Sequence, residues 1–238
     1  MPDFWTHIIA GQEMLENSER EISNIVETNR EIFNFGCQGP DFFFFHNFWP
    51  WIEEKKGAVI GEKIHNQKTV ELIRESLNYL KDIKENEKKE KYQKLMSYIM
   101  GFVAHYALDM KTHHFIFNYG GKGDSHKRLE MKLDIAVMEK KWGMNPVETS
   151  PFEFLNSEKE LPISIQDYYL FILKKVFALS QERSIINNSY QDFRKYHKIF
   201  YSPYKIKTNI VKLINLFTSQ NISLYSYAEQ EEFQLLND

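Results

Sequence analysis

The chain has 238 residues, 42% apolar and 26% charged, and its 19 Phe, 13 Tyr and 4 Trp demand a buried core, which excludes general disorder. A net charge of −3 excludes an overall basic field able to hold long nucleic acid non-specifically. The single cysteine, Cys37, excludes an intramolecular disulfide and fits a reducing compartment.

Residues 4–16 place Phe4, Ile8, Ile9 and Met14 at helical spacing, with Asp3 in position to cap them. The first residues carry neither a basic n-region nor an apolar h-region, so a cytoplasmic protein is expected. A second helix is predicted over residues 22–33, carrying Ile22, Ile25, Val26 and Ile32. Gly36, Gly39 and Pro40 then predict a loop over residues 36–41. The apolar run 42–52 is interrupted by His46, Asn47 and Pro50 and is too short to span a bilayer. It reads as a buried aromatic wall or, because of Trp49 and Trp51, as a lip for peripheral membrane contact.

One long amphipathic helix is predicted over residues 57–80, through Ile60, Ile64, Val70, Ile73, Leu77 and Leu80. The mixed-charge stretch 81–94 reads as a solvated helix end or connection. Residues 95–117 read as a central buried helix. A glycine loop at 120–123 leads to a helix capped by Asp124 or Ser125 and ending near Trp142. Residues 146–162 read as irregular, with further helices predicted over 166–181, 190–200 and 204–218. Without alternating strands or an internal repeat, the expectation is a single all-α domain. Residues 1–142 form its functional core, and 143–238 add C-terminal helices packed on the same domain.

The chemistry lies in the spacing of metal-competent side chains. His105, Asp109 and His113 recur every four residues, within an arc of ~80° and over ~12 Å of helix axis. One ion cannot bind both His105 and His113 over that length, so Asp109 either bridges two ions or shares one with His105. His126 and Glu130 repeat the i,i+4 spacing, and Asp134 continues their face. Asp41, His65 and His7 are further candidates. A single such pair is an ordinary hydrogen bond. Several of them in apolar helices need partners or a metal, and metal binding is the reading adopted.

Other chemistries lack their motifs. There is no G-x-x-x-x-G-K-[ST], no adjacent His-Asp pair as HD-type phosphohydrolases require, and no G-x-S-x-G. Cys37 lacks an evident His partner, and Gly120–Gly123 runs into Asp124 and Ser125 as a turn rather than a phosphate cradle.

In order along the chain, Thr6-His7, Gly39-Pro40-Asp41, Gly61-x-x-x-His65, Gly101-Phe-Val-Ala-His105-Tyr-Ala-Leu-Asp109-Met-Lys-Thr-His113 and His126-x-x-x-Glu130 resemble the zinc-dependent phospholipase C branch of the phospholipase C/P1 nuclease superfamily. The resemblance implies an all-helical fold with two or three zinc ions at the base of a cleft. By that likeness Asp41, His65, His105 and Asp109 hold one zinc; His113, His126 and Glu130 hold a second; His7 and a bridging Asp109 hold a third. Secreted members complete the third site with the backbone of an N-terminal tryptophan, whereas Trp5 is internal here, with Asp3 as a substitute carboxylate.

The expected activity is metal-assisted hydrolysis of a phosphodiester, with Asp41 as the group orienting or deprotonating water. Asp134 and Glu62 are candidates to orient metal-bound His. The aromatic run after Asp41 suits acyl chains or stacked bases equally. A phospholipid, a nucleotide or a small phosphoester therefore stay open as substrates. So does a weakly active or non-catalytic helical metal-binding protein.

Overall fold

A computed structural model describes residues 3–49, 51–121, 123–155, 158–201 and Tyr227. Among these the protein is all-α: helices α1 (Phe4–Glu16), α2 (Arg20–Thr28), α3 (Arg30–Gly36), α4 (Lys56–Asn66), α5 (Thr69–Asn86), α6 (Lys89–Gly120), α7 (Asp124–Trp142), α8 (Ile163–Lys175) and α9 (Arg183–Phe200). Short 3-10 turns occupy Asp41–Phe45 and Pro151–Glu153. The helix expected over 204–218 lies outside the described residues.

The boundaries correct several expectations. The helix over 22–33 is two, because Asn29 leaves helical geometry at φ −129° and ψ 36°. Its side-chain amide donates to the Ile25 carbonyl and its own carbonyl accepts from Phe33, so one residue closes α2 and opens α3. The helix over 57–80 is also two. Lys68 stands in the left-handed region at φ 54°, and its ammonium is tied to the Val176 carbonyl beyond α8 at 2.7 Å. The mixed-charge stretch is helical almost throughout, broken only around Glu87 and Lys88. Lys91–Glu87 at 2.9 Å and Lys94–Glu90 at 3.0 Å brace the exposed start of α6. The helix predicted over 166–181 begins at Ile163 and ends at Lys175, and the one over 190–200 begins at Arg183.

α6 runs through the centre, and α3 crosses it at close quarters because glycines face each other. A Cβ on Gly36 would lie 2.2 Å from the Tyr98 carbonyl oxygen, and one on Gly101 2.2 Å from that of Phe33. Around this crossing, Phe33, Phe35, Tyr98, Phe102, Tyr168 and Phe193 are almost fully buried in one continuous core that includes α8 and α9. Each such ring contributes about 1.5–3 kcal/mol by leaving water. Polar tips are satisfied internally: the Tyr98 and Tyr169 hydroxyls bond at 2.5 Å, and those of Ser76 and Tyr168 at 2.7 Å.

The aromatic run after Asp41 is only partly the wall expected of it. Phe42 and Phe43 are buried and stacked at 4.2 Å, but Phe44 is 40% exposed and Trp51 61% exposed, with Trp49 and Trp51 stacked at 4.7 Å on the surface. No helix among the described residues is long and apolar enough to cross a membrane.

Candidate metal centre

Four elements bring five of the predicted ligands together. His7 comes from α1, Asp41 opens the 3-10 turn, His65 lies at the end of α4, and His105 and Asp109 sit one turn apart on α6. Two overlapping triads result, His7–Asp41–His105 and His65–His105–Asp109, each with ligand atoms within 4.8 Å of one another.

Asp109 turns its oxygens in different directions. Oδ2 lies 3.2 Å from His65 Nε2 and 3.1 Å from His105 Nε2, whereas Oδ1 lies 3.5 Å from His7 Nε2. Asp41 Oδ1 is 3.3 Å from His65 Nε2 and 4.0 Å from His105 Nε2. Despite this proximity, both His7 ring nitrogens, Asp41 Oδ1, His65 Nε2, His105 Nε2 and both Asp109 oxygens are buried without a hydrogen-bond partner among the described residues. Burying that many polar atoms unpaired is costly, whereas metal ions bound within the two triads would satisfy most of them. Imidazole plus carboxylate is a donor set zinc accepts, so the residues fit the ion.

The local backbone explains the geometry. Gly39 has φ 53°, and a Cβ there would lie 2.3 Å from His105 Cδ2, so the loop can press against the ring only as glycine. The loop also supplies the Cys37 carbonyl, 3.2 Å from His105 Nδ1, which places the proton on Nδ1 and leaves Nε2 as the donor atom. Tyr106, next to His105, donates to the Ile64 carbonyl at 2.7 Å and so ties α4 to α6 beside His65. Sequence reasoning missed Cys37 and Tyr106 in these roles; the glycine-rich loop was the visible signal for the first, and nothing marked the second.

Without metal, the cluster polarises itself. Burial drives the His7 pKa down to about 4, with nearby His105 adding to the effect, so this imidazole is neutral. Burial opposes protonation of His65 too, but the neighbouring Asp109 and Asp41 carboxylates outweigh it and lift that pKa to about 10. Asp109 is held well below the usual carboxylate range: burial acts against ionisation, and His105 and His65 more than offset it.

The remaining predicted ligands are arranged differently. His126 Nε2 is 3.0 Å from Glu130 Oε1, with His126 Nδ1 3.1 Å from the Gly121 carbonyl. His113 forms no three-ligand group with them among the described residues; it is exposed and stacked on Phe117 at 4.7 Å. His113 itself is exposed although Ile116 further along α6 is fully buried, so the apolar surroundings expected for the whole ligand face do not extend to His113. Exposed rings flank both groups: Phe44 is 6.4 Å from the His65 ring and Phe117 is 5.1 Å from that of His126.

Two supporting assignments, Asp3 and Asp134, are corrected. Asp3 binds Lys127 at 2.8 Å instead of joining the cluster, and its side chain does not cap α1. Glu62 is exposed. Among the described residues Asp134 bonds no histidine; its carboxylate accepts from the Trp5 and Thr6 backbone amides, so the Trp5 amide is already engaged.

No curated protein and no solved structure matches the chain. A model of the family described as "Zinc dependent phospholipase C" matches residues 6–205, a span that includes every candidate ligand from His7 to Glu130. The match and the buried imidazole–carboxylate cluster together place the chain in the zinc-dependent phospholipase C family.

Proposed function

We propose that the protein hydrolyses a phosphodiester with the help of two or three zinc ions, a phospholipid being the first substrate class to test. The observation behind this reading is the set of buried, unpartnered donor atoms around Asp109. His7, Asp41, His65, His105 and Asp109 would hold metal, with His113, His126 and Glu130 as ligands of a further ion. Zinc held there supplies Lewis acidity, polarising a phosphoryl oxygen and making water nucleophilic near neutral pH.

The chain's own groups do the rest. Asp109 faces two sides of the cluster, as a shared carboxylate must. Asp41, whose side chain is 22% exposed against 6% for Asp109, accepts the proton of the attacking water. The Cys37 carbonyl keeps His105 in one tautomer. Phe44 and Phe117 offer apolar contact to substrate beside the ligands, and the Trp49–Trp51 stack extends that contact towards a lipid surface.

The zinc-loaded protein should be offered a short-chain phosphatidylcholine, a dinucleoside phosphate and p-nitrophenyl phosphate. Release of diacylglycerol and the phosphorylated headgroup is the expected result. Cleavage of the dinucleoside phosphate alone would make the protein a nucleotide hydrolase. No turnover at full metal content would favour a non-catalytic metal-binding protein, a second reading that draws on His113, His126 and Glu130 forming no three-ligand group among the described residues.

A further inference from the structure

His7 is the least tethered ring of the cluster. His105 is oriented by the Cys37 carbonyl and His126 by that of Gly121, but both ring nitrogens of His7 are buried without a hydrogen-bond partner. Its Nε2 stands 3.5 Å from Asp109 Oδ1, and its ring stacks on His105 with centroids 4.3 Å apart. The direction of this imidazole therefore depends on where the backbone of α1 is held.

One fully buried carboxylate holds it. Asp134 Oδ2 accepts from the Trp5 amide at 2.8 Å, and Oδ1 accepts from the Thr6 amide at 2.9 Å and the Thr6 hydroxyl at 2.6 Å. The Tyr227 hydroxyl donates to Oδ2 at 2.6 Å. These are first-turn amides of α1, which the helix cannot satisfy itself, and Asp3 is taken up by Lys127. Asp134 thus caps α1 from another element. That element is α7, which also carries His126 and Glu130.

We propose that Asp134 is a positioning residue for His7, setting the register of α1 against α7 so that the imidazole meets Asp109. The inference rests on the metal-binding reading above. An Asn at this position keeps the shape but replaces one acceptor oxygen by a donor. That NH2 group then faces either the Trp5 amide or the Thr6 amide, donor against donor.

The test is zinc affinity and stoichiometry, by competition titration and elemental analysis, for wild type, D134N, H7A and D134N/H7A. Apo thermal melts are recorded alongside. D134N should weaken the tightest zinc that H7A also weakens, by about 10–100-fold, the usual range for residues that orient ligands. In the H7A background D134N should have no further effect on zinc. Y227F, which leaves the α1 contacts in place, should bind zinc like wild type even if it melts earlier.

Undiminished affinity in D134N, or an equal loss in the H7A background, would overturn the proposal and leave Asp134 a general stabilising group. Wild type binding no zinc would instead overturn the metal reading and take this inference with it. Should D134N not fold, T6V removes only the 2.6 Å hydroxyl bond. It should weaken zinc in the same direction by less, and unchanged affinity there would also refute the proposal.

Discussion

At the scale of single residues, Asp109 and Gly39 decide the most. Asp109 contacts three imidazoles with two oxygens, so its removal leaves buried cationic or unpaired rings and no common anion. Asp109→Ala should lose bound zinc and destabilise the loaded fold by about 3–5 kcal/mol, the range for deleting one member of a buried pair. Elemental analysis and thermal melts in zinc check both. Asp41→Asn should keep the fold, since its side chain is partly open, while turnover falls by roughly 10²–10⁴ if it takes the proton from water. Wild-type turnover in that variant would remove Asp41 from the reaction. Gly39→Ala combines a left-handed backbone with a clash on His105. Backbone strain alone costs about 1–3 kcal/mol, so reduced stability and metal affinity should appear together. Asp109 was legible from its i,i+4 place in an apolar helix. The Gly39–His105 contact was not, because sequence says that a loop turns but not which ring it turns against.

At the scale of elements, the central helix was legible because period and apolarity agree over residues 95–117. The breaks at Asn29 and Lys68 were not. Asn29 stops a helix by its own side-chain bond to Ile25, a local competition that periodicity does not register. Lys68 turns with its ammonium bonded to the Val176 carbonyl, over a hundred residues away in sequence. The α3–α6 crossing is equally a long-range fact. Gly101→Ala should cost about 1–3 kcal/mol or more by forcing the two backbones apart, read as a lower denaturation midpoint with an unchanged denaturant slope. The exposed aromatic rim makes a different prediction. If Phe44 contacts acyl chains, Phe44→Ser should raise KM for a long-chain phospholipid while leaving a short soluble phosphodiester almost unaffected. Equal effects on both would assign the ring to the metal site alone.

For the whole molecule, candidate ligands from α1, the 3-10 turn at Asp41, α4 and α6 meet at one cluster, so metal bound there would be linked to folding. A chelator should lower the melting temperature, since an ion binding only the folded state adds about 2.7 kcal/mol at a hundred times its Kd. Protons enter the same balance. In the metal-free protein His65 is raised from 6.5 to about 10, so its contribution to stability is full below pH 6.5 and disappears as pH rises towards 10. A metal must displace that proton. Zinc uptake at pH 7 should release roughly one proton or more per chain into a weak buffer, and apparent affinity should rise with pH. No proton release on stoichiometric loading would mean that His65 is not a ligand or is already neutral at pH 7.

The sequence by itself determined the all-α class, the central helix and the identity of the residues that gather round Asp109. Helical periodicity and i,i+4 spacing are local properties, readable wherever one helix carries the pattern. Only the tertiary structure decided which candidates meet. It gathered His7, Asp41, His65, His105 and Asp109, left His113 exposed against Phe117, and sent Asp3 to Lys127 and Asp134 to the backbone of α1. Those outcomes depend on how separate helices pack. A buried polar group takes whichever partner the packed core places within reach, and spacing along one chain does not specify that partner.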